Sequence, residues 1–227
     1  MEYGKTLAIL AAYNLEDSIA DIVKETEEYV DEVVVASDGS TDNTYERAKE
    51  AGAKCPPHSL TRGKGFAVRK ALKFSKKFDP EYIILMDADG QHLPEEIPKF
   101  LEPLRNDEAD VVIGSRYKGE IKTSTINKIG NTFLKIISFV MTGKWCSDTE
   151  SGFRGFKAKK LYDLDLNSPH FEIESELLIR SIHKNYRIIE VPITVPKAVP
   201  GITVKDGIKN GIYKIKLGTK LKFQKGG

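Results

Sequence analysis

An α/β fold, a mainly parallel sheet with helices on both faces, is predicted by three observations in this 227-residue chain. Short apolar runs rich in β-branched residues alternate with amphipathic helical ones through the first half. Polar clusters follow three of the strand-like runs, where an open parallel sheet collects its ligands. The apolar fraction of 40% and charged fraction of 30% suit one medium-sized domain with a short appendage.

Thr6–Ala12 reads as a buried strand, followed by an amphipathic helix from Asp17 or Ser18 to about Tyr29. Val33–Ser37 is a second strand and Asp42–Ala51 a helix. Gly65–Phe78 is helical, with Phe66, Val68, Ala71, Leu72 and Phe74 near one side. Tyr82–Met86 is a strand. Pro94 suits a helix's first turn and leads into Glu95–Leu104. Val111–Ile113 is a further strand, Ile126–Met141 an amphipathic helix and Glu172–Lys184 another helix. Arg187–Val195 is read as a strand in which Pro192 marks an edge or bulge.

The net charge of +2 conceals an asymmetry. Residues 205–227 carry seven lysines against the single acid Asp206, a net +6, so the rest of the chain is −4. Two cysteines, Cys55 and Cys146, have no metal-ligand spacing and are too few for a disulfide framework, which suits a reducing, cytoplasmic compartment. Met1–Lys5 shows no signal-peptide pattern. No run reaches the ~20 apolar residues of a membrane span. The acidic bulk and the lack of a recognition motif argue against nucleic acid.

The stretch from Tyr82 to His92 carries the most chemistry. Its apolar run ends in Asp87-Ala88-Asp89, which sets two carboxylates on one side of an extended backbone. Two such acids repel unless a cation lies beside them, and Mg2+ or Mn2+ carrying a diphosphate is the natural candidate. Asp38, after the second strand, can accept from a base N–H or a ribose hydroxyl. Ser40 and Thr41 are expected to cap the next helix. Arg62-Gly63-Lys64-Gly65 before a helix suits an anion, although it lacks P-loop spacing. Arg116, after another strand, has the fork to grip phosphate. Residues 148–154 suit a sugar-lined loop. Glu172, Glu174 and Glu176 read mainly as an acidic helix start. His58, His92, His170 and His183 are expected at the surface or in turns.

Together these pieces resemble the inverting family-2 glycosyltransferases of the GT-A (Rossmann-like) fold, and within them the dolichyl- or polyprenyl-phosphate sugar synthases. The resemblance runs from Thr6 to about Lys205. Its motifs occur in family order: residues 12–14, 37–42, 63–65, 87–92, 114–117, 148–154, 171–174 and 190–193. It implies that Ala12, Tyr13, Glu16, Asp38, Lys64, Asp87 and Ala88 hold the nucleotide-sugar. Asp87, Asp89 and Gln91 surround Mg2+ or Mn2+, with Asp89, Arg116 and Lys128 central to catalysis. Arg116, Lys128, Asp148, Lys197 and Lys205 face the acceptor or its phosphate. Two departures are Ala11 in place of proline and Leu15 in place of glutamate, which leaves Glu16 as the acid there.

The implied reaction is hexose transfer from a GDP- or UDP-sugar to a polyprenyl or dolichyl phosphate. Such an acceptor is largely ionised near neutral pH and needs no protein base. A sugar-hydroxyl acceptor is the alternative, and it needs a carboxylate such as Asp148 or Glu174. A non-catalytic nucleotide-sugar-binding module is a further one. Residues 1–204 are expected to form the transferase domain. Residues 205–227, with Ile208, Ile212 and Ile215 among lysines, are expected to form a helix on the membrane surface. The expected location is the cytoplasmic membrane face, with room for a partner that supplies an anchor.

Overall fold

The computed structural model describes residues 4–57, 63–119, 125–196 and 204–224, with side chains from 130 onward in the third segment and for 207–223 in the last. Its sheet comprises β1 (Thr6–Ala12), β2 (Glu32–Ser37), β3 (Tyr82–Asp87), β4 (Val111–Ser115), β5 (Arg154–Lys157) and β6 (Ile188–Pro192). They lie in the order β2-β1-β3-β5-β4-β6. All neighbours are parallel except β5, which runs antiparallel to both β3 and β4. β5 was not predicted. It has four residues, Arg-Gly-Phe-Lys, and a run that short shows no alternation against the polar stretch before it. β6 is an edge strand and Pro192 is its last residue, so no ladder donor is missed inside the sheet.

The sheet is apolar on both faces, as a helix-covered parallel sheet requires. Leu7, Ile9, Ile83, Leu85, Val111 and Ile113 point to one side and pack on α3 (Lys64–Ser75), α6 (Ala158–Tyr162) and α7 (Ile173–His183). Their neighbours Ala8, Leu10, Ile84, Met86 and Val112 meet α1 (Ile19–Glu27), α2 (Thr44–Glu50) and α4 (Ile97–Arg105) on the other. The remaining helices are α5 (Thr125–Thr142) and α8 (Val204–Gln224). The Gly65–Phe78 expectation splits in two, α3 ending at Ser75 and a 3-10 turn covering Lys76–Phe78.

The lysine-rich end is tied into the body. Leu217 and Leu221 of α8 pack on Ile179 of α7, with Tyr213 beside them. Lys214 is fully buried. Its ammonium donates to Glu150 Oε1 at 2.6 Å, Ser138 Oγ at 2.8 Å, Thr149 Oγ1 at 3.1 Å and the Leu134 carbonyl at 3.2 Å. Contacts advance in step along α5 and α8 (Gly211 with Leu134 and Ile137, Gly218 with Met141), so the two helices run parallel. Outward they present half-exposed Phe133, Ile136 and Val140 on α5 and Ile208, Ile212 and Ile215 on α8. No helix among the described residues is long and apolar enough to cross a membrane.

Candidate active site

The carboxyl ends of β1, β2 and β3 supply the first half of the site. β1 runs into Tyr13, which is 52% exposed, and Asn14, which takes a left-handed φ of 52°. This loop is stitched to the one after β2. The Asn14 N–H donates to Ser40 Oγ at 3.1 Å, Leu15 N–H to Thr44 Oγ1 at 2.6 Å, and Glu16 Oε2 accepts from Asn43 N–H at 3.1 Å. Ser40 and Thr41 therefore do not cap α2. The N-cap is Asn43, which makes no side-chain cap hydrogen bond, while Asp42 Oδ1 one residue earlier accepts from the Thr44 N–H at 3.0 Å in an Asx turn. Burial pushes the Asp42 carboxyl up, but hydrogen bonds from the Thr44 hydroxyl and N–H and from the Glu16 N–H together outweigh it and hold the group below the usual range. Ala12 is buried under the loop. Asp38 Oδ1 accepts from the Gly63 N–H at 2.9 Å and so fixes the turn before α3. Gly63 has φ 100°, and a Cβ there would lie 2.0 Å from His170 Nδ1.

Asp87 closes β3, and the residue that meets it is Lys64. The Lys64 ammonium lies 2.5 Å from Asp87 Oδ1 and 2.6 Å from Glu174 Oε1 at the start of α7. Burial works against this charge, but the two carboxylates outweigh it and hold the lysine well above its ordinary range. Asp87 is partly buried, which pushes its carboxyl up, yet Lys64 beside it holds the group below the usual value. Glu174 moves the other way: burial, with Asp87 nearby, pushes it up against the pull of Lys64. Lys64 is thus an internal counter-ion rather than the open anion site its glycine flanks suggested. Arg62, its expected companion, lies outside the described residues.

His92 corrects another expectation. It is 6% exposed and tilts against Phe153 with centroids 5.0 Å apart, while Phe153 stacks on Phe100 at 4.1 Å. Its Nδ1 accepts from the Asp87 N–H at 3.0 Å, and burial lowers its pKa. The ring therefore buttresses Asp87 as a neutral group. His183 is also not a surface residue. It lies half-buried in α7, with Nε2 2.7 Å from the Leu221 carbonyl.

Asp89 is exposed beyond Ala88, which is fully buried, and its carboxylate pairs with the backbone N–H and side-chain amide of Gln91. Among the described residues no group of three His, Cys, Asp or Glu side chains forms a complete metal cage. Asp87, Asp89 and the Gln91 amide are hard oxygen donors on one turn. They fit a dication that takes its other ligands from water and phosphate.

The second half of the site gathers around Asp148, 1% exposed. It accepts from Arg116 Nε at 2.7 Å, Arg116 Nη2 at 2.9 Å and the Arg116 N–H at 3.1 Å. The Nε–Nη2 edge of the fork expected to grip phosphate is thus committed to a carboxylate, which holds the guanidinium in one orientation. The loop carrying Asp148 is pinned from three sides. Glu190 Oε1 accepts from the Ser147 and Asp148 N–H groups at 2.7 and 3.1 Å. Arg154, fully buried, donates to the Ser151 and Thr149 carbonyls at 2.9 and 3.0 Å. Lys214 holds Glu150 from α8. Gly152 in this loop presses on the first half, and an added Cβ would sit 2.5 Å from Asp87 Oδ2.

The acids at the start of α7 are more than dipole partners. Glu174 holds Lys64, Glu176 accepts from the Asn167 and Ser168 N–H groups and from Arg180, and Glu172 pairs with Lys209 at 3.2 Å. The structure thus brings Ala12, Tyr13, Glu16 and Asp38 to one rim, and Lys64, Asp87, Ala88, Asp89 and Gln91 to the centre. Arg116 and Asp148 face them. Lys197 lies outside the described residues, as do the side chains of Lys128 and Lys205. Sequence reasoning missed Glu190, Arg154 and Lys214. A signal existed for Arg154, as the last residue of the 148–154 motif, and for Glu190, as the first of the 190–193 motif.

Residues 8–165 match the profile of the family described as glycosyl transferase family 2. The chain is 32% identical over 208 residues to the UDP-N-acetylglucosamine–dolichyl-phosphate N-acetylglucosaminyltransferase of Methanococcus voltae, covering 82% of this chain and 83% of that one. It is 34% identical over 189 residues to a dolichyl-phosphate hexose transferase of Haloferax volcanii, covering 82% and 80%. Among solved structures, glucosyl-3-phosphoglycerate synthase from Mycobacterium tuberculosis with Mn2+, UDP-glucose and phosphoglyceric acid superposes with a TM-score of 0.73 at 20% identity, over 93% of this chain and 77% of that one. The last likeness concerns the fold, which is GT-A.

Proposed function

The chain belongs to glycosyl transferase family 2, and on that premise we propose that it transfers a hexose from a UDP- or GDP-sugar to a polyprenyl or dolichyl monophosphate, inverting the anomeric carbon. One observation carries the choice of acceptor. Both carboxylates that a hydroxyl acceptor would need as a base are committed to cations, Asp148 to Arg116 and Glu174 to Lys64. A phosphate monoester arrives already ionised and needs neither. The dolichyl-phosphate acceptors named for the relatives support the same class. The raised Glu174 is the one feature favouring a hydroxyl acceptor.

In this reading Tyr13, Glu16 and Asp38 hold the nucleoside at the rim. Asp87, Asp89 and Gln91 would hold Mg2+ or Mn2+, which when bound supplies positive charge to the departing diphosphate. Lys64 keeps Asp87 ionised and aimed, and His92 fixes it from the backbone side. Asp148 presents Arg116 in one orientation toward the acceptor phosphate, with Lys128, Lys197 and Lys205 as further cations there. The apolar face shared by α5 and α8, bordered by Lys209, Lys216, Lys220 and Lys222, is the surface we assign to an anionic bilayer. The protein would then work as a peripheral enzyme at the cytoplasmic face, with or without an anchoring partner.

The test is Asp89→Asn. Its side chain is exposed and makes only local contacts, so the expected stability change is within about 0.5 kcal/mol. Metal-dependent transfer to a polyprenyl phosphate is expected to vanish. Full activity in a correctly folded variant would remove Asp89 from the site.

A further inference from the structure

A cavity of about 180 Å3 opens beside the start of α7, lined by His170, Phe171, Glu172, Lys209 and Asn210. Apart from Lys209, which also borders the proposed bilayer-facing surface, none of these residues has been given a role above. We propose that this cavity receives the hexose ring of the donor and selects among sugars, an assignment that rests on the donor reading of the site.

Three features suit a neutral, polyhydroxylated ring. Phe171 is 57% exposed, an uncommon state for a phenyl ring and one suited to stacking on the C–H face of a sugar. Glu172 is 5% exposed and accepts from Lys209 through Oε1, while its Oε2 has no hydrogen-bond partner among the described residues. A buried carboxylate oxygen without a donor is unusual, and a ligand hydroxyl would satisfy it. Lys209 is 56% exposed along its side chain, so it can swing aside and uncover that oxygen. The carboxylate also argues against a phosphate here, since it would repel one.

Residues lining the cavity pack on neighbours of both halves of the site. The His170 ring and backbone pack on Gly63 and Gly65, on either side of Lys64. Glu172 lies two residues before Glu174, which holds Lys64. Asn210 is fixed by Ser175 at 2.8 Å and by Glu150, two residues from Asp148. A ring placed here would lie beside the groups assigned to the diphosphate and to the acceptor.

The experiment is calorimetric titration with UDP-glucose, UDP-N-acetylglucosamine and GDP-mannose in the presence of Mn2+, set against free UDP and GDP. For Phe171→Ala and Glu172→Gln, affinity for the preferred nucleotide-sugar should fall about tenfold or more, while affinity for its free nucleotide stays within about twofold. Phe171→Trp keeps an aromatic face and should retain most of the affinity. Equal losses for sugar-linked and free nucleotide, or no loss for either, would overturn the assignment. A wild-type protein that binds none of the nucleotide-sugars would overturn the donor reading itself, and this pocket with it.

Discussion

Lys214→Met removes the cation that joins α8 to the loop of the active site. The lysine has four acceptors, and its partner Glu150 is 4% exposed along its side chain. Methionine matches the length of the stem, so little packing is lost. What is lost is the charge opposite a buried carboxylate, whose surviving partners are the Thr149 and Ser175 hydroxyls and the Asn210 amide. Breaking a buried pair from one side costs about 3–5 kcal/mol, whereas replacing both members is often close to neutral. The single variant should therefore lose about 3 kcal/mol or more, and Lys214→Met with Glu150→Gln should recover at least about half of it. The assay is guanidinium denaturation followed by far-UV circular dichroism and by fluorescence of the single tryptophan. Trp145 suits this, since it packs edge-on against Phe139 of α5 at 5.9 Å. A loss under about 1 kcal/mol for the single variant, or a double variant no better than the single, would refute the reasoning.

Gly152→Ala should place a methyl group 2.5 Å from Asp87 Oδ2 and displace that carboxylate, lowering kcat about a hundredfold while circular dichroism stays native. Replacing Ile208 and Ile212 with glutamate should abolish flotation with anionic vesicles, and unchanged flotation would move membrane contact away from α8. Burial pushes both Cys55 and Cys146 up to about 11, so at pH 8 only about a thousandth of each is thiolate. A disulfide reagent should accordingly label the native protein slowly and the unfolded chain fast. Hydrogen bonds from Arg187 and Lys157 take the Asp107 carboxyl from 3.8 to about 2. A depressed carboxylate stabilises the fold above its unfolded value and loses that effect as pH falls toward the folded one. Asp107→Asn should therefore flatten the acid limb of stability between about pH 4 and 2.

The alternation of runs predicts every long element because both faces of the sheet are covered and β1 to β4 are nearly unbroken apolar blocks. β5 escaped because its four residues include a buried arginine and a glycine, neither of which marks a strand. The site divides in the same way. Residues that follow a strand, Tyr13, Asp38, Asp87 and Arg116, are legible because the chain alone brings strand ends to one rim. What each one touches is not. Lys64 meets Glu174 from 110 positions away, and Asp148 reaches Arg116 from 32. Lys214 reads as one more lysine in a basic tail, yet it is the best-buried cation of α8. Such pairings are set by tertiary contact, and no local pattern records them.

The most direct measurement offers the purified chain a panel of UDP- and GDP-sugars with Mg2+ or Mn2+ and a polyprenyl phosphate in detergent, with products read by mass spectrometry. The expected result is a sugar-phosphate lipid formed with one donor of the panel, dependent on metal and absent with Asp89→Asn. Metal-dependent transfer to water or a sugar hydroxyl, with the lipid phosphate untouched by every donor, would contradict the proposed acceptor and return Glu174 to the role of base.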